Sequence, residues 1–187
     1  RNRVFLDIVA AAQEVISAEG YQMMLINTEY SEKKETEAVK AVLSWKPAAL
    51  ILSGTNHPEA TLKLIRNVNF PIIEIMEISD QPINICVGFS HRSAGRDMGK
   101  YLVGKGYQSF AFYGCKMKRD VRGMKRFEGF RSEVVEAGLM EPKLNDIDSK
   151  FGDLVEGNVL EELALDCLKY DCIYCTNDDL AIGILLT

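Results

Sequence analysis

Short apolar runs alternate with segments of helical periodicity along almost the whole chain, and that alternation restricts the fold more than any single motif. Phe5, Ile8, Val9, Ala12 and Ile16 recur at a 3.6-residue rhythm over Val4 to Glu19, so this stretch reads as an amphipathic helix. Gly20 suits its C-cap. Tyr21 to Asn27 reads as a short buried strand, and Ser31 opens a second helix that ends before Trp45-Lys46-Pro47. Ala48 to Leu52, followed by Ser53-Gly54, has the continuous apolar character of a central parallel strand. A helix over Pro58 to Val68 follows, then strands over Pro71 to Met76 and Ile83 to Phe89. The order then repeats: helix His91 to Gly106, strand Ser109 to Cys115, helix Arg122 to Gly138, helix Gly157 to Tyr170, strand Asp171 to Cys175, and a last helix from Asp178.

Alternation of this kind builds βαβ units, with parallel strands and helices on both faces. The expected class is therefore α/β, doubly wound. A weak composition break near Gly88–Ser93 divides it into an N-terminal lobe (1–88) and a C-terminal lobe (89–187), with the break as hinge. In such sheets ligands bind beyond the C-terminal ends of the strands. Periodicity goes no further, because this fold hosts many unrelated functions.

Composition narrows the function by exclusion. At 187 residues, 47% hydrophobic, 26% charged and a formal net charge of −5, the chain is an ordinary globular sequence with no basic stripe for nucleic acid. No apolar run approaches membrane-spanning length, and Arg1 to Leu6 lacks a signal-peptide core. The five cysteines cannot all pair within one chain, and most lie in apolar runs as reduced core thiols do. Cys172-Ile173-Tyr174-Cys175 has C-x-x-C spacing but sits in a strand, where residues three apart face opposite sides; a redox dithiol wants a helix N-terminus. His57 and His91, the two histidines, have no metal-ligand spacing. Nucleophile-elbow, phosphate-loop and dinucleotide motifs are missing, and Gly104-Lys105-Gly106 stops a helix rather than starting one. Neither an enzyme nor a metal or cofactor is expected.

Two stretches invite a binding role. Asn177-Asp178-Asp179 follows a strand and precedes a helix, where such residues cap orphan amides; a carboxamide there also both donates and accepts, as a polyhydroxy ligand requires. Lys116 to Arg126 is a basic stretch between strand and helix. Most of it suits a solvated loop, but an arginine turned inward would bond a carboxylate or vicinal hydroxyls in pairs.

The motifs then become specific. Gly20-Tyr21-Gln22, Leu50-Ile51-Leu52-Ser53-Gly54, Phe70-Pro71-Ile72-Ile73, Val87-Gly88-Phe89, Arg126-Phe127-Glu128-Gly129-Phe130 and Thr176-Asn177-Asp178-Asp179-Leu180-Ala181-Ile182-Gly183 fall in the order found in sensor domains of LacI/GalR-type repressors. The chain resembles that family over essentially its whole length, and within it the gluconate-utilisation repressors. The resemblance implies two Rossmann-like lobes of the type I periplasmic-binding-protein kind, incomplete at both ends here. It also implies a ligand cleft between the lobes, a homodimer, and a cytoplasmic regulator that meets operator DNA through a helix-turn-helix head absent from this chain. It implies ligand contacts from Phe5, Ser93, Asp120, Arg122, Arg126 and Asn177, with Phe151 as an aromatic lid and Asn177 opposite Arg126. Many members carry Asp-Asn where this chain has Ser90-His91, and Ser93 stands where several have a carboxylate. Ser93 in place of that carboxylate, with Arg122 nearby, implies a less acidic cleft, which suits a small anionic effector such as a sugar acid. A periplasmic sugar-binding protein of the same fold and a doubly wound sugar-phosphate enzyme are the rival readings.

Overall fold

The computed structural model describes residues 3–147 and 165–186. The expected lid residue Phe151, and most of the helix expected over Gly157 to Tyr170, lie outside the described residues. The chain divides into two compact units, one formed by residues 1–48 and 57–69, the other by 49–56 and 70–187.

The first unit is helical: α1 (Arg3–Ala18), α2 (Glu32–Leu43) and α3 (Glu59–Ile65). Gly20, at φ +81°, takes the left-handed conformation that stops α1. Ser31 caps α2, its hydroxyl accepting from the Lys34 amide. A hydroxyl–hydroxyl bond of 3.1 Å between Thr36 and Thr61 joins α2 to α3, with Val39 and Ile65 buried nearby in sequence. His57 Nδ1 lies 3.0 Å from Glu35 Oε1. The strand expected over Tyr21 to Asn27 does not form. Those residues carry no regular structure, and Tyr21, Met24 and Leu25 are well exposed. A strand exists only through a partner's ladder, and no described strand pairs with this segment. Its apolar composition alone therefore does not make it one.

The second unit holds two three-stranded parallel sheets. In the first, β1 (Leu50–Ser53), β2 (Ile72–Ile75) and β3 (Ile85–Val87) lie in the order β1-β2-β3, with Leu50 opposite Ile72 and Ile73 opposite Ile85. Burial alternates along β2: Ile72 and Glu74 are buried, Ile73 and Ile75 half-buried. The β2–β3 connection is held by side chains. Glu74 Oε2 accepts from the Ile83 amide at 2.7 Å, and Asn84 Oδ1 accepts from the Ile72 amide at 3.0 Å.

The second sheet, β4 (Phe110–Cys115), β5 (Lys143–Ile147) and β6 (Cys172–Cys175), has the order β5-β4-β6. Its central strand is buried from Phe110 to Gly114. On one face Phe110 and Phe112 pack with Met117, Phe127, Phe130 and Val134; on the other Ala111 and Tyr113 pack with Cys167 and Leu180. Edge-on ring contacts of 5.5 Å (Phe110–Phe130) and 5.2 Å (Phe112–Phe127) lock the first cluster. Sequence reading gave no strand at β5, whose Lys-Leu-Asn-Asp-Ile is too polar to stand out; Pro142 at its entry is the signal that was available.

Helices α4 (His91–Gly104) and α5 (Val121–Glu136) cross closely because glycines sit at the contact. A Cβ on Gly95 would lie 2.0 Å from the Arg126 carbonyl oxygen, and one on Gly129 would lie 1.9 Å from that of Arg92. Arg92–Glu128 and Arg96–Glu133 ion pairs flank the crossing. The last helix, α6 (Asp178–Leu185), follows β6. Cys172 and Cys175 of the C-x-x-C pair pack into different clusters on opposite faces of β6, as strand alternation requires. Burial raises both thiols, that of Cys175 to about 12, so neither is a ready thiolate.

Candidate functional site

In the second unit the C-terminal ends of β2 and β6 meet the N-terminal turns of α4 and α5, and one arginine ties them together. Ser90 caps α4, its hydroxyl 3.1 Å from the Ser93 amide, which makes His91 the first helical residue. The His91 ring is buried, with the Phe89 ring 4.5 Å away between centroids. Its Nε2 lies 2.9 Å from the Met76 carbonyl oxygen and its Nδ1 3.0 Å from Arg126 Nη1. The carbonyl only accepts and the guanidinium only donates, so the ring must be neutral, with hydrogen on Nε2 and a lone pair on Nδ1. Burial is the main cause holding His91 below its ordinary value of 6.5. The Met76 bond works the other way; the Arg126 and Arg122 charges add to the lowering, and Glu77 opposes them.

Arg126 also donates from Nη2 to the Thr176 carbonyl oxygen at 3.2 Å. It thus spans from α4 to the end of β6, and its fork keeps further donors for a ligand. The neighbouring Lys125 pairs with Glu77, whose side chain is almost fully buried. Glu77 in turn presses on Gly88: a Cβ there would lie 2.3 Å from the Glu77 amide nitrogen, so only glycine fits. Met76, at φ +75°, makes the bend that carries the chain from β2 into this contact.

The residues singled out from the sequence sort as follows. Arg122 is half-buried, one turn before Arg126 on α5, and close enough for its charge to act on His91. Asp120 caps α5 by accepting from the Gly123 amide at 2.8 Å. Asn177 caps α6 by accepting from the Leu180 amide at 2.9 Å, and is exposed. Arg126 reaches the carbonyl of the residue just before Asn177. Both residues belong to the second unit. Ser93 is exposed in the first turn of α4. Phe5 lies half-buried on α1, in the other unit. His91, the Thr176 carbonyl and the Lys125–Glu77 pair were not anticipated. The departure from Asp-Asn at Ser90-His91 was the available signal for the first.

Two open hollows, of about 320 and 310 Å³, adjoin the β4–α5 loop instead of the Arg126 cluster. Met117, Val121, Met124 and Leu144 line the first; Lys116, Lys118, Arg119 and Asp146 line the second. Among the described residues no group of His, Cys, Asp and Glu could hold a metal ion, and no helix is long and apolar enough to cross a membrane.

Comparison with known proteins gives this geometry a context. Residues 2–187 match the family described as periplasmic binding proteins and sugar binding domain of the LacI family. The HTH-type transcriptional regulator GntR of Escherichia coli K12 is 30% identical over 183 residues, covering 97% of this chain and 54% of the relative. IdnR of the same strain, also an HTH-type transcriptional regulator, is 30% identical over 187 residues, covering 100% and 55%. Among solved structures, a LacI-family transcriptional regulator from Silicibacter pomeroyi superposes with a TM-score of 0.89 at 30% identity, over 99% of this chain and 56% of that one. The transcription regulator GntR from Chromobacterium violaceum gives 0.84 at 28% identity, over 98% and 67%. The chain spans about half the length of the curated relatives it matches.

Proposed function

The chain belongs to the family of periplasmic binding proteins and LacI-type sugar-binding domains, and from that premise we propose that it is the ligand-sensing part of a transcriptional regulator. The curated relatives with 30% identity are HTH-type transcriptional regulators, which favours this reading over a periplasmic transport component and over an enzyme. The sheet of β1–β3 belongs to one lobe and that of β4–β6 to the other, with the chain near Gly88–Ser93 passing between them. The effector is a small sugar acid of the gluconate type, held at the strand ends around Arg126. The regulator works in the cytoplasm as a homodimer and reaches operator DNA through a head domain outside this sequence.

One observation carries the proposal: Arg126 is oriented by two fixed acceptors, His91 Nδ1 and the Thr176 carbonyl, at the C-terminal edge of parallel strands. A guanidinium so held, with Arg122 a turn away, suits a carboxylate with neighbouring hydroxyls better than a neutral sugar. Ligand affinity for one lobe arrangement over the other then shifts the population of the regulator, by a coupling of about 1–3 kcal/mol in switches of this kind. Calorimetry with D-gluconate and D-glucose tests the reading. Gluconate binds, and Arg126→Ala weakens it by about 2–5 kcal/mol; tight glucose binding without gluconate binding, or normal gluconate binding by Arg126→Ala, removes it.

A further inference from the structure

We propose that His91, as a neutral ring with its hydrogen on Nε2, is the residue that positions Arg126 for the effector and links it to the exit of β2. The inference rests on the effector-binding reading of Arg126 and adds to it the device that sets the guanidinium. Each ring nitrogen has one partner, and the two partners lie on different sheets' margins. Met76 leaves β2 of the first sheet, while Arg126 stands on α5, which covers β4 of the second. His91 is 4% exposed, so water does not compete for either bond. The neighbouring Lys125–Glu77 pair binds the same two margins, one residue along on each side. Arg126 is therefore not placed by α5 alone. Its direction depends on where the β2 exit lies, and a ligand that pulls on the guanidinium pulls on that exit.

The charged groups facing His91 are Arg126 and Arg122 from α5 and Glu77 from the β2 exit; burial and the two arginines hold the ring neutral at pH 7, and Glu77 works against them. A second proton would convert Nδ1 from acceptor to donor against the Arg126 donor and release the guanidinium. The sign follows. Protonation occurs below the ordinary value of 6.5, so gluconate affinity is level at alkaline and neutral pH and falls in the acid range. The same ring contributes folding stability that is fully present above 6.5 and lost as pH falls through the lowered folded-state value.

The test uses the full-length regulator, D-gluconate as probe, and four proteins: wild type, His91→Gln, His91→Leu and Arg126→Ala. Glutamine offers a donor group and an acceptor group and does not titrate. At about pH 8, His91→Leu binds gluconate roughly tenfold to a hundredfold more weakly than wild type, and His91→Gln restores most of the affinity. As pH falls from about 8 through the lowered value of His91 into the acid range, the wild type loses affinity while His91→Gln stays level once the solvent-exposed groups common to all four are subtracted. A two-bond proton–nitrogen NMR spectrum of the free protein reads the ring directly. It shows the Nε2–H form in the wild type, and a titration midpoint that rises in Arg126→Ala, where a repelling cation is gone. Unchanged binding by His91→Leu while Arg126→Ala fails to bind overturns the positioning role. So does an Nδ1–H ring, or a midpoint indifferent to Arg126→Ala, and both are readable even if the leucine variant does not fold. If the wild type gives no heat with gluconate, the effector reading fails and the spectrum alone decides for or against the His91–Arg126 link.

Discussion

The central strands of the two parallel sheets in the second unit, β2 and β4, are both largely apolar and have very different surroundings. Phe110, Ala111, Phe112 and Tyr113 of β4 are at most 3% exposed, and buried side chains pack on both faces. In the first sheet Leu52, Ile72 and Glu74 are buried, while Ile51, Ile85 and Val87 on the alternate positions are 40–59% exposed. Apolar sequence makes a strand eligible for burial; what lies over it decides whether the eligibility is used. The candidate site stands where the two sheets adjoin. Arg126 is mounted on the helix that covers the well-packed sheet, and it is steered by residues at the exit of the other. A rigid mount and a more loosely covered partner suit the effector site proposed above.

The contrast breaks most visibly at Phe130. It is fully buried and contacts Phe110, Phe112 and Tyr174. Phe130→Ala should destabilise by about 3–5 kcal/mol, through the lost transfer energy and the cavity left among three rings. Denaturant unfolding followed by far-UV dichroism checks it. A cost under about 1 kcal/mol would mean that the second sheet is no better packed than the first.

Gly129→Ala comes next. The added methyl would sit 1.9 Å from the Arg92 carbonyl oxygen and 3.0 Å from the Arg96 amide, both backbone atoms that move only if α4 moves. Overpacking of this kind costs about 1–3 kcal/mol. It also shifts α5 against α4, and so Arg126 against His91. Gluconate affinity should fall in a variant that remains folded, by calorimetry at a temperature below its unfolding midpoint. A stable variant with wild-type affinity would show that the α4–α5 distance does not set the site.

These two residues show why part of the molecule was legible before its structure. In Arg126-Phe127-Glu128-Gly129-Phe130, the arginine faces the candidate site, both phenylalanines enter the aromatic cluster, and the glycine permits the helix crossing. One five-residue segment thus records three local requirements, and its resemblance to a known pattern was informative for that reason. The helices were legible through periodicity and through the Ser31 cap and the Gly20 and Gly138 stops. The failures have a common cause. Residues 21–27 look like a strand and are not one, and Lys143–Ile147 is a strand that does not look like one, because pairing is a property of the partner as much as of the segment. His91 escaped notice because its importance lies in two backbone and side-chain partners 15 and 35 residues away, which no spacing rule encodes.

The smallest expected effect sharpens the comparison from the exposed side. Val87 ends β3 at 59% exposure, and its carbonyl accepts from the Met76 amide at 3.0 Å, a bond that belongs to the backbone alone. Val87→Thr keeps the β-branched shape that suits a strand and places a hydroxyl where water can reach it. Stability should therefore change by no more than about 0.5 kcal/mol, and the Met76–His91 geometry should survive, with gluconate affinity unaltered. The measurement matters because the same position would behave otherwise under a covering partner. If this segment alone tolerates Val87→Thr but the full-length protein loses about 1–3 kcal/mol, the hydroxyl has been forced into a dry contact. The face of the first sheet would then be buried by something that only the complete assembly supplies.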